Sequence, residues 1–100
     1  MDLNEVINRI SFLRTKANLS ARALSFAIGK NDSYINHLES KRNFEPSLTT
    51  LFAIIEACGS TPEEFFYSDL QSYKLDLQLI SMLKTLAPRQ KEAVLNLYRT

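Results

Sequence analysis

A chain of 100 residues with 45% hydrophobic and 23% charged residues, two glycines and three prolines is neither disordered nor collagen-like, and it is long enough for one core with a small appendage. It has no apolar run close to the ~20 residues that a membrane helix needs, and no signal-peptide pattern. Its lone cysteine cannot form an internal disulfide, so we expect a cytoplasmic protein. The net charge of +1 indicates no partner by itself, but the charges are segregated along the chain.

The first two predicted elements are amphipathic helices. Apolar residues recur at helical spacing through the first turns of the chain, and Asp2 with Glu5 three positions later resembles a capping box. A second helix over residues 21–28 begins after Ser20, which can cap it, and ends at Gly29 through a positive φ. The residues expected to face inward are Leu3, Val6, Ile7, Ile10, Leu13 and Ala17 in the first helix and Ala23, Leu24 and Ala27 in the second.

A third and a fourth helix follow. Asn31 can cap a third helix over residues 31–40, and the fourth opens at Pro46 and Ser47 and stops at Gly59. The residues expected to face inward are Ile35 and Leu38 in the third helix and Leu48, Leu51, Phe52, Ile54 and Ile55 in the fourth.

The sharpest local signal in the chain surrounds Pro62. Thr61 stands at the cap, the proline at the first helical position and Glu64 at the third, which fits both the capping box and the positional preference of proline. This pattern predicts a short fifth helix that presents Phe65 and Phe66 to the core.

Two further helices are expected in the C-terminal part. Residues 73–79 alternate apolar and polar and would fit a strand, but the apolar positions continue at helical spacing to Leu86 and favour a helix. A last helix covers roughly residues 88–99. The chain is therefore predicted to be all-α, with one domain over residues 1–69 and a helical hairpin over residues 70–100.

The second and third helices, with the tight link between them, form a helix-turn-helix pattern. This pattern and the segments after it form a longer motif, whose residues occur in a defined order and at defined spacing. They are Leu19, Ser20, Ser25, Gly29, Tyr34, Ile35, Leu38, Glu39, Pro46, Ser47, Leu48, Leu51, Pro62 and Phe65. Over about residues 3–67 the chain thus resembles the phage-repressor (Cro/cI) type of DNA-binding domain, the XRE family of transcriptional regulators. The resemblance implies a five-helix, lambda-repressor-like domain with a C-terminal two-helix extension, and a third helix that reads DNA.

The outward face of the third helix is polar and carries the candidate base contacts Asp32, Ser33, Asn36 and His37. A helix over residues 31–40 is about 15 Å long, and the major groove of B-DNA, roughly 12 Å wide, admits it. Asn36 can pair with adenine, Ser33 can donate or accept, and His37 can donate to guanine or to a phosphate. Asp32 can accept from cytosine or simply favour the helix N-terminus. The alternative for each is a solvated polar side chain.

The charge distribution indicates which part of the chain would meet a polyanion. Residues 1–44 carry a net charge of +3, residues 45–70 carry −5 and residues 71–100 carry +3. A polyanion would therefore meet the first third and be repelled by the middle. Candidate phosphate contacts, at helix starts or on flanking side chains, are Ser20, Arg22, Lys30, Asn31, Lys41, Arg42 and Asn43, with solvated surface charge as the alternative for each.

The resemblance implies a different role for Arg14. It pairs this arginine with Glu39 in a structural ion pair that ties the first helix to the end of the third. The chain also departs from the family at two places. Ala21 stands where many members have a glutamine that contacts DNA, and Ser40–Lys41 replaces a common Asn–Gly, which suggests a different exit from the third helix.

The C-terminal helices have two alternative roles. Phe12 lies about 150° from the centre of the apolar face of the first helix and needs cover, which either arrangement supplies. The last two helices either complete the core of the monomer or form a homodimer interface, which we favour because repressors of this type commonly bind as dimers. The candidate interface residues are Leu79, Met82, Leu83, Leu86, Val94, Leu97 and Tyr98. A protein partner at these helices is a further alternative.

These features predict a sequence-specific regulator of transcription that binds double-stranded DNA, most simply a dimeric repressor. The alternative is a protein-interaction module, an antitoxin or an adaptor, which the low net charge and the absent glutamine favour modestly. An enzyme is excluded, because one histidine, one cysteine, no glycine-rich phosphate loop and no carboxylate cluster leave no catalytic or metal-binding constellation. No cofactor is expected.

Overall fold

The computed structural model describes residues 1–99, which form seven α-helices and no β-strand. This confirms the all-α prediction, including the choice of a helix over residues 73–79. The chain divides into two compact units, Met1–Ser68 and a second that begins at Asp69.

Five helices make up the first unit: α1 (Leu3–Lys16), α2 (Ala21–Ala27), α3 (Tyr34–Lys41), α4 (Leu48–Ala57) and α5 (Pro62–Phe65). Each of them contributes to one hydrophobic core, whose members are Ile7, Ile10, Leu13, Leu24, Ile35, Leu38, Leu51, Ile54, Ile55 and Phe65. Phe12 is half-buried and packs against this core, so the first unit itself partly covers the ring.

The starts of four helices lie where the sequence predicts them. The side chains of Asp2, Ser20, Ser47 and Thr61 each accept a hydrogen bond from the backbone N–H three residues further along. Such caps satisfy N–H groups that have no partner inside the helix, and each is worth about 1 kcal/mol.

The start of α3 differs from the prediction. The helix begins at Tyr34, and Asn31 does not cap it: the Asn31 Oδ1 accepts from the backbone N–H of Ser33 at 3.0 Å and from the Ser33 hydroxyl at 2.8 Å. These bonds close a turn ahead of the helix, because a short amide side chain competes for nearby N–H groups in non-helical conformations. The helix therefore has eight residues and is about 12 Å long.

Several residues predicted to face inward do not. The ones that remain exposed are Ala23, Ala27, Leu48, Phe52 and Phe66. Successive positions on a helix are 100° apart, so a helix of two or three turns buries a narrow stripe and leaves apolar neighbours of that stripe in solvent. On α2 the place beside Leu24 is taken by a polar residue, Ser25, which is fully buried.

The chain leaves α3 through Arg42, which has a left-handed conformation with φ 53° and ψ 32°. Its guanidinium donates to the Glu39 carbonyl at 2.9 Å and to Asn8 Oδ1 of α1 at 2.9 Å. These hydrogen bonds offset the backbone cost that a side chain meets in this region, where glycine is the common choice.

Two helices make up the second unit, α6 (Tyr73–Lys84) and α7 (Pro88–Arg99). The turn before α6 is held by the Asp69 carboxylate, which accepts from the Ser72 hydroxyl at 2.7 Å and from the Gln71 N–H at 3.0 Å. These bonds, the one from Ser72 above all, lower the pKa of Asp69. Among residues 1–99, no helix combines the length and the apolar character needed to cross a membrane.

Candidate nucleic-acid interface

A buried hydroxyl joins α2 to α3. Ser25 Oγ donates to the Ala21 carbonyl at 2.8 Å and accepts from the backbone N–H of Ile35 at 3.0 Å. Between the two helices, Gly29 has the predicted positive φ, 72°, and the Lys30 N–H donates to the Ser25 carbonyl at 2.9 Å. The two helices are thus connected by a short turn and by a polar contact that water does not reach.

The outward face of α3 carries Asn36 and His37, and both side chains are exposed. The opposite face holds Ile35 and Leu38, which are fully buried. Ser33 lies half-buried just before the helix, with its hydroxyl donated to Asn31. The structure therefore presents the side-chain donors and acceptors of Asn36 and His37 to solvent, whereas Ser33 already has a partner.

Two of the predicted contacts pair with each other. Arg22 Nη2 lies 3.3 Å from Asp32 Oδ2, and the two side chains are 80% and 66% exposed. An ion pair this exposed contributes between about 0 and 1 kcal/mol. A phosphate group that competed for the arginine would therefore displace Asp32 at little cost.

The predicted phosphate contacts fall into two groups. Six of the seven are exposed, namely Ser20, Arg22, Lys30, Asn31, Lys41 and Asn43, and Arg42 is half-buried. Several already have partners within the chain. The Ser20 hydroxyl caps α2, and the Arg42 guanidinium bonds to Glu39 and to α1. Arg22 pairs with Asp32, and the Asn31 side chain accepts from Ser33. The Lys30 Nζ lies over an aromatic ring, 5.5 Å from the ring centre of Tyr34.

Arg14 and Glu39 form a bidentate ion pair. Arg14 Nε and Nη2 each donate to a different carboxylate oxygen of Glu39 at 2.8 Å, and Nη1 donates to the Leu19 carbonyl at 2.9 Å. The hydrogen bond to Glu39 raises the pKa of Arg14, against the opposing effect of burial. Because Arg14 lies on α1 and Glu39 on α3, the ion pair fastens α3, the helix with the polar outward face, to α1.

A recess of about 300 Å³ opens beside α3 and was not predicted from the sequence. It is lined by Asn31, Ser33, Tyr34, His37 and Phe44. The rings of Tyr34 and Phe44 lie with their centres 5.6 Å apart and their planes tilted by 58°. Burial raises the pKa of Tyr34, so its phenol keeps its proton well above neutral pH. Two aromatic residues that flank a polar helix in the sequence are the signal for this recess.

Sequence analysis also missed Arg9, whose side chain is 11% exposed. Its Nη1 donates to the carbonyls of Phe65, at 2.7 Å, and Tyr67, and its Nη2 lies 3.5 Å from the Ser68 carbonyl. Arg9 thereby ties α1 to the end of α5. The contact spans more than fifty residues, and the sequence offers as a signal only the nearby Glu5, one helical turn away.

The residues predicted for a dimer interface lie on or between α6 and α7. Leu83 and Leu86 are half-buried, and the rest are exposed: Leu79, Met82, Val94, Leu97 and Tyr98. The structure of this unit therefore leaves much of its apolar surface accessible. In the described part of the chain, no three His, Cys, Asp or Glu side chains lie close enough together to hold a metal ion.

Comparison with known proteins identifies the central part of the chain. A family model described as helix-turn-helix matches residues 10–65, which run from the middle of α1 to the last residue of α5. No characterised protein and no solved structure matches the chain.

Proposed function

The chain belongs to the XRE-type helix-turn-helix family of DNA-binding regulators, and we propose that it recognises specific duplex sequences by placing α3 in the major groove. The observation that carries the proposal is the pair Asn36 and His37, exposed on a short helix whose other face is fully buried. Direct readout of bases needs side-chain donors and acceptors at fixed positions, and a helix anchored through its inner face supplies them.

The proposed base contacts follow from hydrogen-bonding chemistry. The Asn36 amide can donate and accept at the same adenine, and the His37 imidazole can donate to a guanine acceptor. Ser33 and Asp32 complete the set once they leave their present partners, Asn31 and Arg22.

The proposed phosphate contacts surround this surface. Arg22, Lys30, Lys41 and Asn43 are exposed near the two ends of α3, and backbone N–H groups at the helix starts add further anion-binding sites. We assign Arg42 a smaller part than these, because its guanidinium already serves the exit from α3.

We further propose that two copies associate through α6 and α7. Apolar residues of both helices, among them Leu79, Met82 and Val94, remain exposed, and a second copy supplies a self-complementary surface of the same kind. Two-fold symmetry would then place two copies of α3 one helical turn of DNA apart, about 34 Å, on an inverted repeat. A dimer bound in this way most simply represses transcription by blocking polymerase.

Selection of bound duplexes from a random pool tests the proposed function. We expect one preferred sequence arranged as an inverted repeat. If a dimer neutralises about eight phosphates, the logarithm of the binding constant should fall with the logarithm of salt concentration with a slope near −7. A flat salt response without any preferred duplex would contradict the proposal and favour the protein-interaction module instead.

Sedimentation of the full chain at micromolar concentration tests the dimer. We expect a dimer that Met82→Lys dissociates, because the exposed methionine lies on the proposed interface of α6. Ser81→Lys adds the same charge at the neighbouring exposed position and is the control. A parent chain that sediments as a monomer would overturn the assignment of α6 and α7.

A further inference from the structure

The recess beside α3 combines an aromatic floor with a polar rim. Tyr34 and Phe44 supply two tilted rings, and Asn31, Ser33 and His37 surround them. Ser33 and His37 also belong to the proposed base-reading surface. An aromatic surface therefore lies within a face whose other side chains are polar.

We propose that this recess holds the C5-methyl group of a thymine in the bound duplex. In the major groove, the edges of the bases present hydrogen-bond donors and acceptors, and the thymine methyl is the apolar group among them. The aromatic surface of the recess, next to base-reading side chains, is complementary to that group. This inference rests on the proposed function and adds Tyr34 and Phe44 to the residues that determine its specificity.

The charges around the recess favour a nucleic acid as its occupant. None of the five lining residues is acidic, and the Lys30 ammonium lies 5.5 Å from the centre of the Tyr34 ring. The lysine can contact a phosphate of the same strand while the rings contact the base, since phosphate contacts position the protein and base contacts specify the sequence. A methyl group pressed against the rings would lose its contact with water, and this loss is the source of the discrimination.

Uracil scanning of the selected duplex tests the inference without altering the protein. Each thymine is replaced in turn by uracil, which differs only in lacking the methyl group. We expect one position in each half-site at which the replacement weakens binding about fourfold, the effect of removing one buried methyl or methylene group. No effect at any thymine would overturn the inference, and failure to select any duplex would instead refute the proposed function.

A variant then identifies the residue that contacts the methyl group. In Phe44→Ala, the thymine and uracil duplexes should bind equally, whereas in Phe66→Ala, which removes an exposed ring from a different helix end, the fourfold difference should persist. If the alanine variant does not fold, Phe44→Thr, whose short side chain also withdraws the ring from the recess, serves the same purpose. A difference that survives the loss of the Phe44 ring would place the methyl group elsewhere and overturn the assignment. Phe44→Ala could also weaken binding to the thymine and uracil duplexes by the same factor and leave the fourfold difference between them unchanged. This result would indicate that the ring contacts the sugar–phosphate backbone, and it would also overturn the assignment.

Discussion

Ser25 Oγ accepts the backbone N–H of Ile35 at 3.0 Å, so a single buried side chain of α2 fixes the first turn of α3. The hydrogen of the same hydroxyl goes to the Ala21 carbonyl within α2. The angle between the two helices therefore depends on a residue that never reaches the outward face. Asn36, one residue beyond Ile35, takes its position from this contact.

Ser25→Ala should destabilise the chain by about 1–3 kcal/mol, because it leaves the buried N–H of Ile35 without an acceptor. Urea denaturation of parent and variant measures the difference. Ser40→Ala is the matched control: the Ser40 hydroxyl also donates to the carbonyl four residues earlier, at 2.7 Å, but it is exposed. If both substitutions lowered the free energy of unfolding by the same small amount, the buried contact between α2 and α3 would contribute no more to stability than an exposed hydrogen bond.

Substitutions in the ion pairs Arg14–Glu39 and Arg22–Asp32 should have different effects, the first on stability and the second on DNA affinity. Arg14→Ala removes a bidentate partner of the mostly buried Glu39 and should cost about 1–3 kcal/mol of unfolding free energy, with little loss of DNA affinity where the variant stays folded. Arg22→Ala removes an exposed pair and should leave stability within about 0.5 kcal/mol, while weakening DNA binding. Thermal melts and binding titrations on both variants measure the two effects. An Arg14→Ala protein that melts like the parent yet fails to bind DNA would reverse the assignment of Arg14.

Arg9→Ala should loosen the end of the first unit, because the guanidinium donates to the carbonyls of Phe65, the last residue of α5, and of Tyr67 just after it. We expect a loss of about 1.5–3 kcal/mol, the usual range for hydrogen bonds to a charged group. Arg9→Lys should recover only part of this loss, since an ammonium cannot reproduce the planar fork of donors. Lys16→Ala, an exposed cation on the same helix, is the control for urea denaturation. Full recovery by lysine would mean that charge alone matters at this position.

Cys58 should react slowly with iodoacetamide in the folded chain. Burial raises the pKa of its thiol, and Glu39 adds to this while Arg14 opposes it. The pH–rate profile should therefore inflect above the ordinary thiol value, because only the thiolate attacks. The folded state holds this proton more tightly than the unfolded chain, whose thiol ionises first as the pH rises. Alkaline pH therefore lowers the free energy of unfolding. The single cysteine makes the labelling unambiguous, and a rate equal to that of the urea-unfolded chain would contradict the prediction.

Helix type and most helix starts could be predicted from the sequence, because they depend on local chemistry. The caps at Ser20 and Thr61 and the break at Gly29 each involve residues within one turn of each other. The start of α3 could not be predicted in the same way. Asn31 is as good a cap as Ser20 by residue type, and only the folded turn shows that its oxygen bonds to Ser33 instead.

The outward face of α3 could be predicted because burial of Ile35 and Leu38 determines which residues point away from the core. The surroundings of that face could not. The recess needs Phe44 to pack against Tyr34, and the exit from α3 needs Arg42 to reach Asn8 of α1. The missing Asn–Gly suggests a different exit from α3, and two aromatic residues lie near the helix, but residue preferences do not indicate that Arg42 adopts the left-handed conformation or which residues then meet.

Asn36→Ala should relax sequence preference rather than weaken binding in general. Loss of an amide that pairs with one base should cost about 1–3 kcal/mol in each half-site of the preferred duplex and almost nothing on an unrelated duplex. Lys41→Ala, at the exposed end of the same helix, should weaken binding to both duplexes alike because a phosphate contact carries no sequence information. Each copy of the proposed dimer loses one such contact, so the salt slope should become shallower by about 2. Titration of both variants with both duplexes at two salt concentrations distinguishes the two roles. If Asn36→Ala lost the same factor on every duplex, α3 would be contacting the backbone and the bases would have to be read elsewhere.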